Sequence, residues 1–168
     1  MDFILIKWKL SDAKDVAHFA NNKKIADNLR DAFPHPYTLK DAQEFIGNCL
    51  SADESEKIFR AIEIDGKAAG SIGVFKGSDI YRKSAELGYW LAEPFWGRGV
   101  MSAAAAQICA EAFYKLDIVR IFAEPFATNA ASRKVLEKAG FALEGVMKNA
   151  AVKNGQIIDY CMYALLKV

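Results

Sequence analysis

The chain has 168 residues, the length of one domain, and its 52% hydrophobic and 26% charged residues place it among globular proteins rather than disordered ones. Lys and Arg number 22 against 21 Asp and Glu, a formal charge of +1, which excludes bulk attraction to nucleic acid or an anionic membrane as a default but leaves a local basic pocket open. Cys49, Cys109 and Cys161 lack any Cys-x-x-Cys spacing, and His18 and His35 lack metal-ligand spacing, so a disulfide framework, a zinc enzyme and a His-based triad are poor readings.

The start, Met-Asp-Phe-Ile-Leu-Ile-Lys, has no basic leader region, and the uncharged stretch 99–110 is too short to span a bilayer, so a cytoplasmic protein is expected. Residues 2–9 read as a strand, after which Ser11 or Asp12 caps a helix with Val16, Ala17 and Ala20 on one face. Pro34 and Pro36 predict an extended, stiff link to a second helix, which the Thr38/Asp41 capping-box pattern opens and which runs to about Leu50. Residues 57–64 and 67–75 are β-rich, and Asp65-Gly66 between them signals a two-residue hairpin.

Residues 84–92 set Ala85, Leu87, Tyr89 and Leu91 against Glu86, Gly88 and Trp90, a period of two. Pro94 ends this strand, and Trp96-Gly97-Arg98-Gly99-Val100-Met101-Ser102 leads into a helix to about Leu116 with Met101, Ala105, Ile108, Ala112 and Leu116 on one stripe. Residues 119–124 form the next strand, parallel to 84–92 because a helix connects them. Thr128 or Asn129 opens a further helix with Ala131, Val135 and Leu136 inward, Gly140 at its C′ position and Phe141 as the apolar residue beyond. Strands at 142–153 and 156–167 are joined by Asn154-Gly155. The order β-α-α-β-β-β-α-β-α-β-β predicts a single-domain α/β (α+β) fold, a mixed sheet with one parallel junction at its centre.

Four pieces carry candidate chemistry, each with a bland alternative. A strand, a glycine turn and a helix start at 96–102 aim backbone N–H groups at one point, with Arg98 as a permanent cation, which suits a pyrophosphate; a tight turn with a solvated arginine fits as well. It is neither a Walker loop nor the dinucleotide fingerprint, whose third glycine would fall at Ser102. Asn129 and Ser132 begin a helix after a parallel strand, where open α/β sheets bind ligands, although an amphipathic helix with a good cap and a basic outer face explains them too. Glu86 shares a strand face with Gly88 and Trp90, so its carboxylate projects either into a cleft floored by glycine or into a cross-strand ion pair. The aromatics Phe33 and Tyr37 line a substrate mouth or cover the sheet.

In register, these pieces resemble the GNAT superfamily of acyl-CoA-dependent N-acyltransferases, and within it the bacterial ribosomal-protein N-terminal acetyltransferase (Rim-type) branch. The resemblance runs through Phe33-Pro-His-Pro-Tyr37 with Asp41-Ala42, Glu86-Leu-Gly-Tyr-Trp-Leu91, Phe95-Trp-Gly-Arg-Gly99, and Asn129-Ala-Ala-Ser132 to Gly140-Phe141, nearly the whole chain. It implies one acyltransferase domain over residues 1–168, with the parallel strand pair splayed at the cofactor site. In the family's loop, Arg/Gln-x-x-Gly-x-Gly/Ala, Trp96 takes the first place, Gly99 is retained and Met101 takes the last. The resemblance further implies that Tyr89, Leu91, Trp96, Gly97, Arg98, Gly99, Val100, Met101, Ser102, Asn129 and Ser132 bind acetyl-CoA, and that no metal is needed. The tyrosine that protonates the departing thiolate in many members is replaced by Leu136; the resemblance to the Rim-type branch implies Ser132 as the acid in its place, and Glu86 is the expected base.

The expected function is therefore direct transfer of an acetyl group from acetyl-CoA to a primary amine, a protein or peptide N-terminus, with Phe33, Tyr37 and Trp90 on the acceptor side. The expected partners exclude a membrane and nucleic acid, and the chain is a monomer or homodimer. Two alternatives stay open. One is a small-amine acceptor such as a polyamine, amino acid or aminoglycoside. The other is a non-catalytic acyl-CoA-binding module, which Leu136 favours and which Glu86 and Ser132 oppose.

Overall fold

Two hairpin turns show how closely local chemistry sets the backbone in the computed structural model, which describes residues 1–168. Asp65 and Gly66 have φ of 51° and 74°, and Asn154 and Gly155 have 50° and 72°. Positive φ at both central residues is what a type I′ hairpin requires, and Asn, Asp and Gly reach it at least cost.

The elements in order are β1 (Ile4–Ile6), α1 (Ala13–Ala20), α2 (Lys23–Ala26), α3 (Leu39–Ser51), β2 (Lys57–Ile64), β3 (Lys67–Lys76), β4 (Ser84–Leu91), α4 (Val100–Lys115), β5 (Arg120–Ala123), α5 (Ala130–Lys138), β6 (Ala142–Lys153) and β7 (Gln156–Leu166). The seven strands form one mixed sheet in the order β1-β2-β3-β4-β5-β7-β6. The expected parallel junction is present, with Ser84, Ala85 and Glu86 of β4 against Arg120, Ile121 and Phe122 of β5. The chain forms two compact units, Met1–Gly73 with Tyr89–Val100, and Val74–Gly88 with Met101–Val168.

In the first unit, α1 buries Ala13, Val16 and Ala20, and α3 buries Ala42 and Ile46, the spacing of one helical face. These residues pack with Trp8, Ile25, Tyr37, Ala61, Ala68 and Trp90 into one core. Thr38 and Asp41 form the expected capping box, with Thr38 Oγ1 accepting from the Asp41 N–H and Asp41 Oδ2 from the Thr38 N–H. Strand β3 is buried without a break from Ala68 to Val74, as a strand covered on both faces should be. Gly70 lies within it because nothing larger fits: a Cβ there would stand 2.7 Å from the Trp90 carbonyl oxygen.

Three expectations in this unit are corrected. The first strand is only Ile4–Ile6, because Trp8 turns into the core and Leu10–Asp12 form a 3-10 turn in which Asp12 accepts from the Lys9 N–H rather than capping α1. A short helix, α2, follows Asn22, whose side chain caps it by accepting from the Lys24 N–H at 2.9 Å. The proline segment is not extended: residues 31–36 turn and bend, the Phe33 N–H bonds the Arg30 carbonyl at 3.0 Å, and the His35–Pro36 bond is cis.

In the second unit, the α4 stripe Met101, Ala105, Ile108, Ala112 and Leu116 is buried throughout. Helix α5 buries Leu136 alone, while Ala131, expected inward, is exposed and Val135 is half-buried. Its end is a Schellman motif: Gly140 has φ of 95°, its N–H bonds the Glu137 carbonyl, and the Phe141 N–H bonds the Leu136 carbonyl at 3.0 Å. Strand β7 pairs antiparallel with both β5 and β6. The pairing of β6 with β7 shifts register between Leu143 and Gly145 and again between Met147 and Ala151.

Gly70→Ala is expected to destabilise the protein by about 1–3 kcal/mol, because the added methyl meets backbone rather than a side chain that can swing away. Chemical denaturation measures this, and an unchanged midpoint would show that β3 and β4 yield at that point.

Candidate active site

The first unit carries the end of β4 and the turn that follows it. The β4 alternation holds through Leu87 and then breaks, since Trp90 and Leu91 are both buried. Trp90 belongs to the core with Tyr37, and the Phe33 ring packs against both, 5.0 Å from Tyr37 and 6.1 Å from Trp90 between ring centres. The three aromatics expected on the acceptor side therefore do meet. Tyr37 and Trp90 are buried in the cluster and Phe33 is its half-buried member. Burial, reinforced by the nearby charge of Asp41, pushes the Tyr37 hydroxyl up to about 12, so it stays protonated at neutral pH. The Asn21 side chain accepts from the Tyr37 N–H at 3.0 Å and ties this aromatic segment to the end of α1.

Beyond β4, Glu93–Phe95 form a 3-10 turn. Glu93 accepts from Asn22 Nδ2 at 2.7 Å and from Lys24 Nζ, and these donors hold its carboxyl below the usual range. The Trp96 indole N–H donates to the Leu91 carbonyl at 2.7 Å, which folds the ring back over the strand end. Trp96, Gly97, Arg98 and Gly99 are then exposed, and Val100 is buried as the first residue of α4. Gly97 and Gly99 have φ of 71° and 77°, and a Cβ at either would meet nothing within 4 Å. The turn needs glycine for its backbone and leaves open space beside it, at the N-terminus of a 16-residue helix. That combination of room, backbone donors and positive helix end, with Arg98 in the exposed turn, fits a pyrophosphate. Met101 and Ser102 continue the first turn of α4, Met101 buried and Ser102 half-buried.

The second unit carries Glu86, Asn129 and Ser132. Glu86 is half-exposed on β4 beside its pairing partner Phe122. The expected glycine-floored cleft is filled: a Cβ on Gly88 would stand 3.3 Å from the Phe75 ring. Gly88 thus serves an aromatic contact rather than an opening. Asn129 is the N-cap of α5, its side-chain oxygen accepting from the Ser132 N–H at 3.1 Å. Leu136 is fully buried and has no proton to give.

Sequence patterning missed the contacts of Arg133 and Glu137 with Tyr163. Arg133 Nε donates to the Tyr163 hydroxyl at 3.1 Å, and that hydroxyl donates to Glu137 Oε1 at 2.9 Å. Burial raises the Tyr163 hydroxyl above its ordinary range. The available signal was the i,i+4 pair Arg133/Glu137 on one helix face, which reads equally as solvated charge. The chain has no group of three or more His, Cys, Asp or Glu side chains arranged to hold a metal ion.

Residues 2–142 match the acetyltransferase (GNAT) domain family. The chain is a GNAT N-acetyltransferase. It is 36% identical over 149 residues to YdaF of Bacillus subtilis, described as a candidate ribosomal N-acetyltransferase, across 89% of this chain and 75% of that one. It is 33% identical over 95 residues to the ribosomal-protein-serine acetyltransferase of Escherichia coli, across 55% of this chain and 53% of that one. Among solved structures it is similar to a ribosomal L7/L12 α-N-protein acetyltransferase in complex with coenzyme A, with a TM-score of 0.86 and 26% identity over 98% of this chain and 93% of that one. The resemblance to the Rim-type branch therefore holds, and acetyl-CoA is the cosubstrate. No helix of this acetyltransferase is long and apolar enough to cross a membrane.

Asn129→Ala is expected to cost about 1 kcal/mol of stability, the usual worth of a side-chain N-cap. Urea unfolding reads this directly, and a loss of only a few tenths would mean that water or a neighbour replaces the cap.

Proposed function

We propose that this acetyltransferase modifies the α-amino group of a protein or peptide, in the cytoplasm, and that residues 1–168 act as one acyltransferase domain. The observation that carries the acceptor class is the likeness to two proteins named for acetylating ribosomal proteins. Acetyl-CoA, when bound, supplies the activated thioester. The 97–102 turn holds its pyrophosphate through backbone N–H groups and Arg98, with Trp96 beside it, and Asn129 contributes from the start of α5. Backbone at Tyr89–Leu91 orients the thioester arm, and a preorganised N–H there polarises the reacting carbonyl. Phe33 gives the acceptor an aromatic wall, with Tyr37 and Trp90 fixing that wall from behind.

Glu86 takes the proton that the attacking ammonium must lose, directly or through a water, and Ser132 returns a proton to the departing sulfur. An ammonium loses two protons on becoming an amide. The first goes to Glu86 and frees the lone pair. The second leaves as the carbon–nitrogen bond forms and the carbon–sulfur bond breaks, replacing through solvent the proton that Ser132 gives to sulfur, so that amide, thiol and one net proton result. No covalent enzyme intermediate is needed, because amine and thioester react directly once the amine is neutral.

Gly99→Val is expected to weaken coenzyme A binding, since a β-branched residue is strained at this φ and intrudes on the open space. Arg98→Ala is expected to weaken it by roughly 1.5 kcal/mol, the loss of a charge-assisted contact. Calorimetry with coenzyme A checks both, and unchanged affinity in folded Gly99→Val protein would remove the turn from the site.

Glu86→Gln is expected to lower turnover about 10²-fold and leave coenzyme A affinity within a few-fold. Near-normal turnover would return Glu86 to a strand ion pair. Thiol release from acetyl-CoA across free-amino peptides and small amines tests the acceptor class. Preference for a small amine would overturn the peptide reading, and no release with any acceptor would favour a binding module.

A further inference from the structure

The chain between β5 and α5 is stitched to β7 at closely spaced points. The Cys161 N–H bonds the Pro125 carbonyl at 2.8 Å, Phe126 bridges Tyr160, and the Ala127 N–H bonds the Asp159 carbonyl at 2.9 Å. These bonds fix where the helix begins but not how it is rotated about its axis. Rotation is set one turn later. Arg133 and Glu137, four residues apart on one face of α5, close on a single phenol oxygen, that of Tyr163 in β7. Arg133 also reaches back to the Ala127 carbonyl at 3.3 Å. The Tyr163 ring is fully buried, so its hydroxyl is a fixed point and not a mobile surface group.

The oxygen is used in both directions, accepting from Arg133 and donating to Glu137, so α5 cannot roll either way without breaking one bond. Ser132 is the neighbour of Arg133 in the first turn, and its N–H is already held by Asn129. We infer that Tyr163 is a positioning residue for transfer: through Arg133 and Glu137 it sets the rotation of α5 and thereby the placement of Ser132. This rests on the proposed role of Ser132 as proton donor to the leaving sulfur.

The test is a double-mutant cycle on turnover, with saturating acetyl-CoA and the best-used acceptor of the peptide and amine panel, run well below each variant's melting temperature. Tyr163→Phe keeps the buried ring and removes only the hydroxyl. It is expected to lower kcat roughly tenfold while the KM for acetyl-CoA stays within about twofold, because a small misplacement of a reacting group is costly to the chemical step. In a Ser132→Ala background the same change should cause little further loss, since the group it positions is gone. Glu137→Ala is the second variant; it releases one side of the clamp from an exposed position and should lower kcat in the same direction by less.

An unchanged kcat in Tyr163→Phe, or losses that simply multiply in the double variant, would overturn the inference and reduce the cluster to a fold contact. A Ser132→Ala enzyme that turns over like wild type would instead overturn the role of Ser132, and the inference with it. That single variant keeps the two failures apart.

Discussion

The close approach of two backbones at Gly70 governs the end of β4. With no side chain at residue 70, the Trp90 carbonyl comes to 2.7 Å of where a Cβ would stand, and Leu91 packs against the same point. The strand end is therefore covered on both faces, and both Trp90 and Leu91 are buried. From that anchored end the chain runs a short, constrained path. Glu93 is held by Asn22 and Lys24, the Trp96 indole is bonded back to Leu91, and only then do Gly97 and Gly99 open into solvent. A turn proposed to receive a ligand gains from a fixed approach, because less of the binding energy is then spent on ordering the loop.

The second unit shows the same economy in another form. Helix α5 buries one side chain, Leu136, and its mean composition is polar, so packing alone holds it weakly. Its ends are fixed by directional bonds instead: Asn129 at the start, the Gly140 motif at the finish, and the Tyr163 hydroxyl between them. Directional bonds specify rotation and register, which a single buried leucine cannot do.

What could be read from the sequence was whatever depends on neighbours along the chain. The two type I′ hairpins, the Thr38/Asp41 box, the Gly140 helix end and the α4 stripe are local rules, and all of them hold. The family could be read for a related reason, since several local motifs kept their order and spacing. The features that could not be read depend on residues distant in sequence. Gly88 suggested open space, yet its neighbour is the Phe75 ring; Trp90 suggested a strand face, yet the core claims it. Helix α2 is four residues long, too short for periodicity to register, and the partner of Arg133 lies 30 residues further on.

The strand order leaves β1 and β6 as the two borders of the sheet. A border strand offers unused ladder groups to any other extended chain, and proteins generally blunt such borders. Here β1 is only three residues long, and β6 loses register with β7 twice along its 12 residues, with Lys148 and Lys153 spaced along it. The protein thus carries a kinked, charged seam on one side and almost none on the other. A short border and one that loses register are both poor templates for uncontrolled strand addition.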